Sequence, residues 1–241
     1  GMPRRRASPL PSKVMSKPRV SGLALAPETT PSLFATAGIG RGLDSHLADI
    51  RDPAAVQACL AATDPEIVIH MAAQALVRAA YRDPLATYAT NVMGTAHVLE
   101  AVRATPSVRA VVVVTSDKAY ANREWAWGYR ETDRLGGRDP YSASKACTEL
   151  VAEAYRQSFF ADPAGPQLAT VRAGNVIGGG DWSSFRLIPD IVRATLEGRE
   201  TVIRNPASLR PWQHVLEPLA GYLSIGAAML DGRGTEVAGA W

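Results

Sequence analysis

The chain has 241 residues, 46% of them hydrophobic, enough for one sizeable core or a core with a small second lobe. Its net charge is +3, but Arg4, Arg5, Arg6, Lys13, Lys17 and Arg19 all fall in the first 20 positions, which contain no acid. The rest is mildly acidic, which argues against nucleic acid as a partner, and no apolar run is long enough to span a membrane.

In chain order, residues 1–18 are basic, rich in Pro and Ser, and without periodicity. They read as an irregular or non-native segment; Gly1 before Met2 looks like a residue left by tag removal, and Arg and Ser without acids also imitate a transit peptide. From Arg19 the pattern alternates. Val20–Leu25 is a predicted strand, Pro53–Ala62 a helix opening after the N-cap candidate Asp52, and Glu66–Met71 a buried strand after the turn Asp64-Pro65. A long helix follows over 84–104. Arg109–Thr115 contains four consecutive valines, as suits a sheet covered on both faces. Tyr141–Phe159 is a helix and Gln167–Arg172 a strand. Beyond Asn175 the pattern is loop-rich, with helices near 188–197 and 217–230. Such alternation predicts an α/β fold with a doubly wound parallel sheet.

Cys59 and Cys147 have no metal or redox spacing, which fits a reducing cytoplasm. The four histidines are scattered, so no metal site is expected, and neither a zinc-protease helix nor a serine-hydrolase elbow is present.

Tyr141 and Lys145 stand four apart on a predicted helix and so share a face. A nearby ammonium stabilises phenolate; a base working near neutral pH needs a drop from about 10 toward 7, about 4 kcal/mol. Desolvation opposes that shift, so the adjacent charge must win. A surface Tyr beside a solvated Lys is the plainer alternative. Upstream, the valine strand runs into Ser116, Asp117 and Lys118, placing a hydroxyl, an acid and an amine at a strand's carboxyl end, where open α/β sheets bind ligands. A turn whose Ser and Asp cap the next element would use the same residues.

A strand ending in a hydroxyl residue, followed about 25 residues later by Tyr-x-x-x-Lys, resembles the extended short-chain dehydrogenase/reductase superfamily. The Asp117-Lys118 pair resembles the nucleotide-sugar 4,6-dehydratases, in the branch acting on CDP-glucose. The resemblance covers roughly 19–241 and implies NAD as cofactor, CDP-glucose as substrate and a homo-oligomer, a dimer. It implies an NAD-binding Rossmann-like domain over 19–174 and a partial substrate-binding region with returning Rossmann elements over 175–241. By the same resemblance Ser116 and Tyr141 hydrogen-bond the sugar 4-OH and Lys145 holds the nicotinamide ribose. Asp117 protonates the departing 6-OH. Lys118 either takes the C5 proton, which needs a buried and neutral amine, or stabilises an enolate.

Other segments agree. Asp49-Ile50 resembles the adenine contact, Ala72-Ala73 the small residues that let NAD approach, and Asn175 a substrate-phosphate ligand. Arg186 and Arg210 resemble diphosphate ligands, for which guanidinium forks are suited. His70 and Asn91 read as structural, and Asp52 as a helix cap. Three departures stand out. No glycine-rich turn with its preceding strand is present, the chain stops at Trp241 where relatives continue, and Ala79-Ala80 replaces an expected hydroxyl. Without that strand, Val20–Leu25 and Glu66–Met71 lose their common neighbour. Either another segment fills the gap, residues 12–16 being the local candidate, or the first strand stands apart. The alternatives are another nucleotide-sugar epimerase or decarboxylase, or a family-like remnant without a cofactor seat.

Overall fold

The computed structural model describes residues 18–241; residues 1–17, including the candidate gap-filler at 12–16, lie outside the described residues. The elements in order are β1 (Ser21–Ala24), α1 (Leu33–Thr36), β2 (Asp44–Leu47), α2 (Pro53–Thr63), β3 (Ile67–His70), α3 (Val77–Arg82), α4 (Pro84–Tyr88), α5 (Gly94–Arg103) and β4 (Ala110–Val114). Then come α6 (Pro140–Ser158), β5 (Gln167–Val171), β6 (Asn175–Ile177), α7 (Leu187–Leu196), β7 (Trp212–His214), α8 (Leu216–Ala228) and α9 (Gly234–Val237). Every ladder between these strands is parallel, as the alternation predicts.

Three α-helices start the same way. Asp52, Asp83 and Asp139 each accept from the first-turn backbone, and each is followed by a proline at the first helical position, where no N–H is missed. Asp64 closes α2 in the left-handed region, and Pro65 prevents its continuation.

The core sheet is β3-β4-β5. Its residues alternate between two covered faces. Val111, Val113 and Leu168 pack against Val98, Leu99, Val102 and Ala152 of α5 and α6. Ala110, Val112, Ala169 and Val171 face Tyr222, Ile225 and Met229 on and just beyond α8. Val111, Val112 and Val113 have no exposed surface, a burial worth about 1.5–3 kcal/mol per side chain before conformational entropy. The segment Gly239–Trp241 extends this sheet, with Thr170 N donating to Gly239 O and Trp241 N to Thr170 O.

β1 and β2 form a separate pair, as do β6 and β7, and no ladder joins β1 to β3 among the described residues. Among the described residues β1 pairs with β2 alone, and the gap-filling alternative over 12–16 lies outside them. The β1–β2 pair reaches the core through Leu23 and through α2, whose Val56 and Leu60 pack on the α5 side.

Candidate active site

β4 ends at Val114, and Thr115 and Ser116 carry the chain into a tight turn over Asp117–Ala119. Ser116 caps that turn, its Oγ accepting from Lys118 N at 3.2 Å and donating to Asp117 Oδ1 at 3.1 Å. The capping role weighed from sequence is therefore present. The same hydroxyl also meets the Tyr141 phenol. Asp139 holds the start of α6 by accepting from Ser142 N and Ser142 Oγ, which aims Tyr141 and Lys145 at the end of β4.

Both are buried, Tyr141 at 8% and Lys145 at 5% exposure. Burial pushes the Lys145 ammonium down to about 8, opposed by the Glu149 carboxylate. One expectation is corrected here. Burial raises the Tyr141 phenol above its usual value; the Ser116 hydroxyl and the Arg186 charge pull the other way without winning. Lys145 Nζ gives one of its three N–H donors to Val114 O at 3.0 Å. The burial that a Lys118 base requires is also absent. Its side chain is 41% exposed, with Nζ 3.9 Å from Asp117 Oδ1.

Asp49 accepts from Arg51 N and Nε, both at 2.8 Å, and this pairing holds its carboxyl below the usual range. Ile50 is buried in the core, and its carbonyl accepts from His97 Nδ1. Any adenine contact here must therefore compete with Arg51 or use the backbone of this segment. Ala72 and Ala73 are partly buried just beyond the end of β3, and Ala72 packs on the core. Asn175 opens β6, and its Oδ1 is buried without a hydrogen-bond partner. Arg186 donates to Asp181 at 3.2 Å, and its charge reaches Tyr141. Arg210 is exposed and donates to Leu209 O, so the structure does not bring it together with Tyr141. A cavity of about 330 Å³ lies beside Glu149 and Arg172; neither Ser116 nor Tyr141 lines it.

A polar network behind the site escaped the sequence reading. Thr95 donates to Asn91 O at 2.7 Å, so His70, 3.0 Å away, carries its proton on Nε2 and donates to Thr95 Oγ1. Asn91 Nδ2 donates to Ser144 Oγ, which donates to the carbonyl of Tyr141. Asn91 also bridges both ways to the backbone of Gln74. Asn91 thus has its amide bonded on both atoms, and His70 is held through Nε2. The signal was available: Ser144, Lys145, Thr148 and Glu149 are polar residues on the apolar face of α6.

A buried Tyr-x-x-x-Lys pair facing a Ser-Asp-Lys strand end on a parallel sheet defines the site type of the short-chain dehydrogenases. A family model described as GDP-mannose 4,6 dehydratase matches residues 34–227, and the chain belongs to that family. It is 54% identical over 227 residues to a CDP-glucose 4,6-dehydratase of Salmonella typhimurium, covering 92% of this chain and 63% of that protein. A dTDP-glucose 4,6-dehydratase of Xanthomonas campestris is 30% identical over 69% of this chain and 48% of its own length. Among solved structures, a dTDP-glucose 4,6-dehydratase of Streptomyces venezuelae with NAD and TYD bound superposes with a TM-score of 0.72 at 25% identity, over 86% of this chain and 60% of that one. The Bacillus anthracis enzyme in complex with NAD shares the fold, with a TM-score of 0.73 at 22% identity over 92% and 66%. The chain thus spans less than two thirds of the length of these relatives.

Proposed function

We propose that this chain carries the catalytic centre of an NAD-dependent hydro-lyase, a nucleotide-sugar 4,6-dehydratase converting CDP-glucose to CDP-4-keto-6-deoxyglucose. The observation that carries the reading is the meeting of Ser116, Asp117 and Lys118 with Tyr141 and Lys145 at one strand end. High identity to a CDP-glucose 4,6-dehydratase supports the choice of substrate.

The residues present fit the nicotinamide half of NAD. Small side chains at Ala72 and Ala73 follow β3, and the buried Lys145 Nζ at the end of β4 would give a remaining N–H to a ribose hydroxyl. No glycine-rich turn joins a strand to a helix among the described residues to seat the pyrophosphate. NAD held beside Tyr141 and Lys145 would supply a reversible hydride acceptor for the sugar. Tyr141, beside the Ser116 hydroxyl, takes the 4-OH proton. Asp117 protonates the 6-OH so that water leaves. Lys118, exposed and beside Asp117, stabilises the enolate formed at C4–C5, or takes the C5 proton once substrate buries it. Asn175, Arg186 and Arg210 serve the substrate's phosphates.

The acid and amine at Asp117 and Lys118 favour a dehydratase over an epimerase, which needs no acid at C6. A cytoplasmic dimer fits the free Cys59 and Cys147 and the exposed Leu85 and Leu150 of α4 and α6; sedimentation analysis checks the assembly. The direct test supplies NAD and CDP-glucose and follows the 4-keto product. Tyr141→Phe is expected to slow turnover at least about 100-fold. Turnover within a few-fold of the parent rules Tyr141 out as the base.

A further inference from the structure

We propose that Glu149 and Arg172 form a positioning pair that locks the catalytic helix α6 to the strand end bearing Ser116 and to the aromatic loop 120–135. The catalytic meaning of the lock rests on the dehydratase reading; the lock itself does not. Glu149 follows Lys145 by four residues and Tyr141 by eight, on the same helix face. Its side chain is 4% exposed and accepts from Thr115 Oγ1, from Thr170 Oγ1 at 2.7 Å, and from Arg172 Nε and Nη2, both at 2.9 Å. Thr115 immediately precedes Ser116. One carboxylate on the helix of Tyr141 and Lys145 therefore grips the residue beside the catalytic hydroxyl.

Arg172 continues the lock outward. Its Nη1 donates to Glu131 O at 2.9 Å, and its Cζ lies 4.9 Å from the centre of the Tyr120 ring. Tyr120 stacks on Tyr129 at 4.9 Å, Trp125 lies 5.4 Å from Tyr129, and Trp127 stacks on Trp125 at 5.2 Å. The loop joining the catalytic turn to the catalytic helix, closed on itself by backbone bonds from Ala121 to Arg134 and from Gly136 to Ala119, is thus tied to Glu149 through one guanidinium. Stability alone does not account for the arrangement. Desolvating two charges offsets their attraction, and an apolar pair of similar size often stabilises as well. An apolar pair cannot supply a two-point fork of fixed direction. Lys145 is faced by Tyr141 and Glu149 on α6 and by His70 on β3, which is neutral, so Glu149 also supplies the negative charge near its ammonium.

The test removes both charges together, in Glu149→Leu/Arg172→Met, so that neither is left buried and unpaired. Side-chain NMR of 13C-lysine is tractable because the lysines are Lys13, Lys17, Lys118 and Lys145. 5-Fluorotryptophan reports on the loop through Trp125 and Trp127, with Trp182 and Trp212 as internal references. Neither readout needs cofactor or substrate, so the result is independent of the dehydratase reading. The Lys145 midpoint is expected to fall by about half a pH unit or more, roughly threefold in its dissociation constant. The Trp125 and Trp127 signals are expected to shift and narrow while Trp182 and Trp212 stay. A folded double variant with parental values for either set overturns the proposal. If that variant does not fold, Thr115→Val removes one partner of the carboxylate alone. The same changes, smaller, are expected, and parental signals there overturn the proposal equally. Where the parent turns over substrate, kcat is expected to fall at least tenfold with KM little changed.

Discussion

His70 and Lys145 show how burial sets charge at this site. His70 is held down to about 3 by burial and then by the Lys145 charge, so it is neutral at pH 7. Between pH 6.5 and about 3 the unfolded chain binds a proton at this position that the folded chain refuses, so stability falls as pH drops through that window. From pH 6.5 to 5 the loss is about 2 kcal/mol, at about 1.4 kcal/mol per unit. Glu149, whose folded value lies below 4.5, adds its own loss only at lower pH. Urea denaturation at pH 7 and 5 checks this. His70→Gln, which can still donate to Thr95, is expected to lose most of the difference between the two pH values, and a variant as acid-sensitive as the parent contradicts the assignment. Asp117 gives a second prediction at this scale. Asp117→Asn keeps the turn but cannot protonate a leaving hydroxyl, so C4 oxidation should outlast water loss and NADH absorbance should build up transiently with CDP-glucose. Elimination at the parental rate removes Asp117 as the acid.

At the scale of elements, what was legible had a local cause. The four valines of β4 and the helical run of α6 declare themselves because their side chains alone dictate burial. The long helix read over 84–104 is real but interrupted. Asp83 and Pro84 restart it, and a wider π-turn over Ala89–Met93 frees the Asn91 carbonyl for Thr95 and Thr148. Within that turn Asn91 bonds to Gln74 and Ser144, partners 17 and 53 residues away, which no local window reveals. The short strands β2, β6 and β7 were missed for a like reason, since Asp44-Ser-His-Leu47 has no strand pattern until β1 lies beside it. A Cβ at Gly94 would stand 2.6 Å from Ile50 Cδ1, so the helix can approach the Asp49-Ile50 segment only without a side chain. The cap of α6 was also overlooked, although Asp139-Pro140 is a start signal. Asp139→Ala is expected to cost about 1 kcal/mol in thermal or urea unfolding. Because Asp139 also anchors Ser142, next to Tyr141, the same change should weaken Tyr141 placement and lower kcat.

At the scale of the whole molecule, the site lies on one side of β3, and the edge that no described strand pairs with lies on the other. Ser116, Tyr141 and Lys145 stand on the β4–α6 side, where both sheet faces are covered and the Glu149–Arg172 pair ties the loop down. On the other side β3 presents an edge with no ladder among the described residues, and Ile67, Val68 and Ile69 are only partly buried. The resemblance made this break legible as a missing neighbour; the sequence could not say that β1 and β2 would still pair with each other. Their strands are four residues each, and β1 adds little beyond Leu23 to the main core. Cooperative units with few buried apolar contacts open at lower free energy than the global transition. Native-state hydrogen exchange is therefore expected to separate two units. Amides of Val111–Val113 and Leu168–Val171 should exchange only through global unfolding. Those linking β1 and β2 should exchange at least about 100-fold faster, a difference of about 2.7 kcal/mol or more. Amides of β3 that point away from β4 should show little protection, since among the described residues they have no acceptor on that side. Protection of β1 and β2 equal to that of β4 would mean that a strand does bridge β1 and β3. The β3–β5 sheet and the β1–β2 pair would then be one sheet with a single unfolding transition.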